Sequence, residues 1–344
     1  MIVPFLTAAT IGGGVAPNYF GNGSDGVLNT AGNVNFASSV DGDPVIKNYT
    51  SVTINSGHTV TTSNRCKALW IYCTGDVTIN GTLSMTARGA AATGSNDVLK
   101  YSGTQSKVFK TFRMSASGGA GGNIALMVGS RTGITGTNGT ASISGNTISI
   151  TTGGGGSGGG PDTSQGPSYA GFGGSGSSYS GGPGGGGFVQ RSLCSGQIDY
   201  VMDGSNHGGT GGSGKSLPAF IAGSGAGNPG GTGGIGVCSS GGTGNQAPSG
   251  TGGIIFIIAK GNVTIGSGGI ISADGTVGGA YSFNGDGGGG SGGGAIVILR
   301  GGNYSNSGTI QSNGGAGGAG ATGGGYGNGG VGGNGAIYIT QIDR

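Results

Sequence analysis

The sequence predicts an all-β fold in which strand blocks of β-solenoid or β-sandwich type are combined with a bundle of polyglycine-II helices, with essentially no α-helix. Three observations lead to this prediction. Glycine accounts for 94 of the 344 residues, and side chains recur at every third position within the glycine runs. Apolar runs of strand length are followed by Gly-Asp or Gly-Asn turns. Good helix formers are scarce, with nine Leu and no Glu.

The strand blocks repeat one pattern along the chain. Residues 67–89, 253–275 and 295–314 each contain an apolar run, a turn, a short alternating segment and a last short strand. A weaker copy spans 51–65. Repetition of one small unit is typical of a solenoid, in which each coil buries its apolar face on the next. The uninterrupted apolar runs LWIYC and IIFII are typical of strands buried on both faces.

The glycine runs have a period of three. In 314–335 the residues Ala316, Ala319, Thr322, Val331 and Asn334 share one frame, and most other positions are glycine. Polyglycine II has three residues per turn and no internal hydrogen bonds. Ordering so much glycine is entropically costly, so such helices are expected only where they pack side by side and share backbone hydrogen bonds. A flexible spacer and a glycine-loop β-structure stay open as alternatives.

Composition restricts the other possibilities. Low net charge (+3) and the regular period argue against disorder, although 94 Gly and 9 Pro would otherwise suggest it. No apolar run is long enough to span a bilayer, and the first residues lack the basic flank of a secretory signal. The four cysteines match neither a zinc template nor a disulfide framework, so we expect buried thiols. They are Cys66, Cys73, Cys194 and Cys238.

Three regions are predicted. Residues 1–45 form an N-terminal attachment or assembly segment, 46–115 a β-rich module, and 116–344 a polyglycine-II bundle with interleaved strands and projecting loops. Two stretches interrupt the glycine and are predicted to be such loops. Residues 98–114 combine four cations with aromatic side chains, and residues 168–203 are rich in aromatic residues.

Motifs for catalysis or cofactor binding are weak. The carboxylate pairs Asp41/Asp43, Asp199/Asp203 and Asp274/Asp286 are candidates for glycosidic hydrolysis, but their local sequences are typical of turns. His58 and His207 have no partner at metal-ligand spacing. The string GTGGSGKS at 209–216 fits the phosphate-loop spacing, but no buried strand precedes it and Pro218 interrupts any helix after it. The sequence therefore predicts no enzyme, no cofactor, no metal site and no nucleic-acid partner.

The Gly-Gly-X runs and their aromatic-bearing loops resemble the tail-fibre tip adhesins of T-even-type bacteriophages over residues 115–335. The segments GNGSDGVLNTAGN and NRCKALWIYCTGDVTINGTLSMTARGA are similar to the β-rich modules of glycine-rich phage structural and tail proteins. The resemblance implies a sandwich of polyglycine-II helices whose loops at one end bind a receptor on the host surface. It also implies a virion or extracellular location.

We therefore expect a non-enzymatic virion protein that displays loops to a bacterial surface receptor, protein or glycan, and contacts other virion or fibre subunits, possibly copies of itself. Aromatic side chains suit receptor contact because they bring large area at low entropic cost. An equal alternative is that these aromatic side chains cover the ends of the polyglycine-II bundle. The candidate receptor contacts are Tyr169, Phe172, Tyr179, Phe188, Arg191, Tyr200, Tyr281 and Phe283.

Three other functions compete. The first alternative is a self-assembling structural subunit of an extracellular fibre or sheath, which would form open-ended polymers. An ice-binding protein would need a flat Thr/Ala face, which the mixed residues of the glycine frame do not supply. A tailspike that degrades polysaccharide would depend on one of the Asp pairs.

Overall fold

The computed structural model describes residues 19–91, 132–142, 149–159, 173–177, 179–185, 225–228, 250–280, 286–320 and 327–342 in full, and only the backbone of 96–100, 111–114, 143–144, 147–148, 216–217 and 220–221. These residues contain strands and extended segments but no helix, as the sequence predicts. Accordingly, the described part has no helix long and apolar enough to cross a membrane. The fold is all-β.

The strands are short, with two to six residues each. In chain order they are β1 (Val27–Asn29), β2 (Val34–Phe36), β3 (Val45–Tyr49), β4 (Ser51–Ile54), β5 (Thr59–Thr62), β6 (Leu69–Cys73), β7 (Val77–Ile79), β8 (Thr82–Ser84), β9 (Asn96–Lys100), β10 (Thr111–Met114), β11 (Ala141–Ser144), β12 (Thr147–Ile150), β13 (Ser216–Leu217), β14 (Phe220–Ile221), β15 (Ile254–Ala259), β16 (Val263–Ile265), β17 (Ile270–Ser272), β18 (Ala295–Arg300), β19 (Tyr304–Asn306), β20 (Thr309–Gln311) and β21 (Ala336–Gln341).

Fifteen of these strands form three parallel five-stranded sheets. Sheet 1 has the order β1-β4-β7-β16-β19, sheet 2 the order β2-β5-β8-β17-β20, and sheet 3 the order β3-β6-β15-β18-β21. The chain visits sheets 1, 2 and 3 in turn and then begins the next layer, so each strand pairs with its equivalent in the neighbouring layer. Strands on both sides of residue 45 and of residue 115 share these sheets, and the three predicted regions stay predictions.

One apolar core lies between the three sheets. Each contributes inward-facing residues that are in register, for example Val52, Val77 and Val263 in sheet 1. Ile71 and Ile257 are register partners in sheet 3 and belong to the same core. Alternate residues of a strand point to opposite faces, which explains the VTI pattern of β7 and β16.

The inner strands of sheet 3, β6, β15 and β18, are buried on both faces, which confirms the sequence prediction for β6 and β15. The inner face of sheet 3 joins the core between the sheets, and its outer face forms a second apolar cluster around Trp70, Phe256 and Leu299. The rings of Trp70 and Phe256 have centroids 4.6 Å apart in a tilted arrangement. Ile150 of β12 packs into this cluster, so the strand before a glycine segment lies against sheet 3.

The Gly-Asp and Gly-Asn turns of the repeated blocks connect neighbouring layers. Asp76 Oδ1 accepts a hydrogen bond from the Asn262 backbone N–H at 2.7 Å, and Asn262 Oδ1 accepts one from the Asn303 N–H at 2.8 Å. Each polar side chain thus satisfies a backbone donor at the same corner of the next layer. The turn residue recurs in these three blocks because the same contact links their successive layers.

Residues 98–114 are predicted to be a projecting loop, and the structure places strand backbone at both ends of this stretch. The backbone of β9 and β10 pairs antiparallel at both ends of this stretch, and β10 also pairs parallel with β12. The sequence TFRM is rich in residues of high β propensity, which outweighs the polar composition of the stretch. Side chains of β9 and β10 lie outside the described residues.

The long glycine stretches are all inserted at equivalent positions of the fold, between a strand of sheet 2 and the next strand of sheet 3. They follow β8, β17 and β20, and they end at β15, β18 and β21. The insertions after β17 and β20 each contain one segment that leaves the sheets and one that returns. The segment that returns to β18, residues 286–294, is called the central segment below.

The central segment donates hydrogen bonds to three neighbouring segments in rotation. Its N–H groups at Gly287, Gly290 and Gly293 bond to the carbonyls of the segment 327–335 at 2.9 Å. The N–H groups at 288, 291 and 294 donate to carbonyls of the segment 273–279. Those at 289 and 292 donate to carbonyls of the segment 182–185. All eight N–H groups from 287 to 294 therefore have a partner, and the partner changes with a period of three.

The carbonyl groups of the central segment accept hydrogen bonds from the other side. Segment 153–159 donates to positions 287, 290 and 293, and segment 315–318 donates to 288 and 291. Ala226 and Gly252, from two short segments that meet end to end, donate to 289 and 292. The central segment is thus surrounded by six described segments, and its N–H groups from 287 to 294 and carbonyls from 287 to 293 are satisfied without any contribution from its side chains.

The side chains of the flanking segments follow the predicted frame. Asn313, Ala316 and Ala319 are exposed, as are Asn328 and Val331, whereas the glycines between them are mostly buried. A Cβ atom added to Gly290 would overlap the Gly315 carbonyl group. In 313–319 and 328–334 the side chains therefore lie on the face that has no neighbour among the described segments, whereas small hydroxyl side chains such as Ser291 are buried between segments.

We predict that Gly290→Ala lowers the free energy of unfolding by about 1–3 kcal/mol, because an added methyl group would force the packed backbones apart. Urea unfolding followed by circular dichroism measures the change. Gly32→Ala is the matched control, since a Cβ atom at Gly32 meets nothing within 4 Å. Equal stability of the two variants would contradict close packing of the central segment.

Cys66 and Cys73 are free thiols in the core, as the sequence predicts for them. Burial raises the pKa of both thiols, so little reactive thiolate is present at neutral pH. We predict that iodoacetamide labels neither residue in the native protein at pH 7.5 and labels both in urea. Peptide mass spectrometry reads the two sites separately, and rapid native labelling would show that the core is open.

Candidate interaction site at the far end of the glycine segments

The glycine segments end in a common layer far from the sheets, called the far end below. Gly159 donates to the Gly287 carbonyl, and Gly287 donates to the Gly327 carbonyl. Gly279 accepts from Gly288, and the Gly320 N–H donates to Asn328 Oδ1 at 2.9 Å. Segments from separate parts of the chain therefore reach the same layer, although the residues that connect them differ in length and sequence.

Four stretches of the sequence adjoin the ends of these segments. Residues 160–172, 281–285 and 321–326 each begin or end beside the layer just described, and 186–224 begins after Gly185, which accepts a hydrogen bond from Gly289. Apart from the backbone of β13 and β14, these stretches lie outside the described residues. Seven of the eight predicted receptor contacts belong to them, namely Tyr169, Phe172, Phe188, Arg191, Tyr200, Tyr281 and Phe283.

Tyr179 is the one predicted contact that the structure describes, and it lies at the opposite end, close to the sheets. Its side chain is 9% exposed, and the Lys67 ammonium lies 5.9 Å from the centre of its ring. The turn that contains it is fixed by Thr152, whose hydroxyl donates to the carbonyl groups of Ser177 and Ser180. A buried ring presents little area to a receptor, so Tyr179 is not part of the surface proposed below.

Asp286 is the first residue of the central segment and the only described charged residue at the far end. It is fully buried. Its Oδ1 accepts a hydrogen bond from the Gly327 N–H, and its Oδ2 has no hydrogen-bond partner among the residues that the structure describes. Burial raises the pKa of Asp286 to about 8, only partly offset by the Gly327 hydrogen bond. The carboxyl group is therefore largely protonated at neutral pH.

The candidate carboxylate pairs do not form an acid–base site in the described residues. Asp41 accepts two hydrogen bonds from Arg65, at 2.7 and 3.0 Å, and Asp43 bonds to Lys67 at 2.8 Å. Asp274 lies beside the sheets, whereas Asp286 lies at the far end, so these two carboxyl groups are at opposite ends of the glycine segments. Asp199 and Asp203 lie outside the described residues.

The remaining candidates for catalysis or metal binding make hydrogen bonds within the fold where the structure describes them. His58 Nδ1 lies 2.9 Å from the Thr30 hydroxyl, a contact between neighbouring layers. Burial raises the pKa of Asp41, but the Arg65 hydrogen bond and the Ala91 N–H outweigh it, so the pKa lies below the ordinary value. The described residues contain no group of three or more potential metal ligands. His207 and residues 209–215 lie outside them.

Sequence reasoning treated Asp286 only as a possible catalytic partner and missed its burial. The local string GDGGGG carries a signal, because an acidic residue at the start of a glycine run has no neighbouring side chain to pair with. Its burial depends on the six surrounding segments, which come from distant parts of the chain. The sequence pattern does not reveal which segment lies at the centre.

We predict that the far end becomes less stable as pH rises. The folded-state pKa of Asp286 is raised above the unfolded value, so its contribution is fully favourable below about pH 4 and is lost as pH rises towards 8. Asp286→Asn keeps the shape without the charge, and it should flatten the fall in melting temperature between pH 5 and 9. Identical profiles for parent and variant would contradict a buried, protonated Asp286.

No protein family matches this chain, and no curated protein or solved structure is significantly similar to it.

Proposed function

We propose that this protein is a non-enzymatic bacteriophage virion protein, a tail-fibre or tip adhesin. In this proposal the three sheets are the faces of a β-solenoid, and the glycine segments are polyglycine-II helices packed in a bundle. The bundle holds loops at its far end against a receptor on the bacterial surface. The protein would act outside the cell, as part of the virion.

The pairing pattern of the sheets supports a solenoid. The chain visits the three sheets in constant order, and equivalent strands pair in parallel from layer to layer. Each layer buries its inward residues on the next, for example Ile54 on Ile79. This one-dimensional arrangement of repeated units is the property that defines a solenoid.

The hydrogen bonds of the central segment support polyglycine II. A helix with three residues per turn directs every third N–H to the same neighbour, which matches the rotation of partners at 287–294. Six surrounding segments also match a helix that bonds on all sides. The exposed residues Asn328 and Val331 lie three apart, on the one face without a neighbour.

The single observation that carries the display function is the common far end. Segments at 153–159, 273–280, 312–320 and 327–335 share backbone hydrogen bonds that fix their ends relative to one another. A rigid base reduces the ordering cost that loops meet when they bind a partner. Variable loops on such a scaffold are a common way to present binding residues.

The proposal predicts that loop substitutions weaken adhesion but leave the fold intact. Two double variants, Tyr169→Ala/Phe172→Ala and Tyr281→Ala/Phe283→Ala, should lower binding to susceptible cells roughly tenfold or more, because aromatic anchors dominate binding energy. Binding of fluorescently labelled protein to a broad panel of bacterial strains, followed by flow cytometry, measures the effect. Melting temperature reports whether the fold is kept.

The matched control is Val277→Ala/Val331→Ala, which removes two side chains that are each 44% exposed on the flank of the bundle. This variant should bind cells as the parent does. If both loop variants also bind as the parent does, the far end is not the receptor site. A parent protein that adheres to no strain of the panel would contradict the adhesin function itself.

A further inference from the structure

The outer face of sheet 1 carries an unbroken polar column. Asn29, Thr53, Thr78, Thr264 and Ser305 are register partners on adjacent strands. In β4, β7 and β16 they alternate with buried valines and isoleucines, and in β1 and β19 they adjoin Leu28 and Tyr304, which pack against the same core, so all five point away from it. These five residues are called the hydroxyl face below.

The hydroxyl groups of Thr53, Thr78 and Thr264 are available to a ligand. They make no hydrogen bond to any part of the chain that the structure describes. The outer faces of the other two sheets differ. On sheet 2 the Ser84 and Ser272 hydroxyls bond to each other at 2.9 Å, and Ile270 interrupts the neighbouring threonine column. On sheet 3 the outer face is covered by the second apolar cluster.

The geometry of the hydroxyl face suits a regularly repeating partner. Adjacent strands lie about 4.8 Å apart, so the column presents one hydroxyl or amide group at each such step. Threonine is β-branched and has few rotamers in a strand, which holds these groups in place. Individually weak hydrogen bonds add up when one extended polymer contacts several strands at once.

The chemistry of the hydroxyl face favours a neutral partner that both donates and accepts hydrogen bonds. The five strands of sheet 1 contain no charged residue. Hydroxyl and amide groups donate and accept, as sugar hydroxyls do. Protein partners usually need aromatic or apolar anchors in pockets, and the column has none. A nucleic acid would need cations.

We propose that the hydroxyl face binds a neutral linear polysaccharide of the bacterial surface, laid across the strands of sheet 1. The inference rests on the proposed adhesin function and adds a second receptor contact, on the flank of the sheets rather than at the far end. A phage particle could thus hold a surface glycan through sheet 1 while the far-end loops engage their receptor.

The test compares two triple variants on labelled cells of a strain that the parent protein binds. Thr53→Val/Thr78→Val/Thr264→Val removes the hydroxyls of the column and keeps the β-branched shape. Thr59→Val/Thr82→Val/Thr309→Val is the matched control on the outer face of sheet 2, where Ile270 interrupts the column. Before binding, cells are left untreated, treated with periodate to cleave vicinal diols of glycans, or treated with protease.

Protease leaves the glycan intact, so binding to protease-treated cells reports glycan contact. We expect the sheet 1 variant to bind these cells roughly tenfold or more weakly than the parent, because its column has lost three hydroxyl groups. The control variant should bind as the parent does. Periodate should remove this protease-resistant binding. The inference is overturned if the sheet 1 variant and its control bind equally, or if binding withstands periodate and is lost only with protease. A parent that binds no strain overturns the adhesin function and this inference together.

Discussion

The constraint on which the structure depends is that every backbone N–H and C=O group in a glycine segment must find a partner outside its own segment. Glycine has no side chain that could shield or satisfy these groups, and an extended chain has no internal hydrogen bonds. The central segment meets this constraint at all eight N–H groups from 287 to 294. It can do so only because six positions around it are occupied at once, so the segments form as a set.

The sheets supply the geometry that makes such a set possible. Parallel pairing stacks equivalent strands, so insertions at the same point of successive layers start side by side. The glycine stretches after β17 and β20 begin in neighbouring layers, and their segments accordingly pair with each other, as Gly278 does with Ala316. Ordering glycine is entropically costly, and anchoring both ends of each stretch in a sheet reduces the number of conformations that remain to be lost.

Much of this could be predicted from the sequence, and the reasons are local. The apolar runs at 69–73 and 254–258 predicted strands buried on both faces, and the one-in-three frame predicted which of the described side chains between 316 and 334 are exposed. The identity of the central segment, the burial of Asp286 and the opposite placement of Tyr179 depend on contacts between distant segments. The threonine column of sheet 1 is visible in the repeated VTI strings, but its free hydroxyls become evident only once the register is known.

The position at which the glycine stretches are inserted, between sheets 2 and 3, determines how their length and number can vary. Each glycine insertion starts and ends beside the same edge of the sheets, so lengthening one or adding another changes the packing of the glycine segments without shifting the strand register. Segment 327–335 has one flank, marked by Asn328 and Val331, that no described segment covers. Replacing these two residues with glycine would let a further pair of segments pack against that flank, so this packing can be extended in a way that a side-chain core cannot.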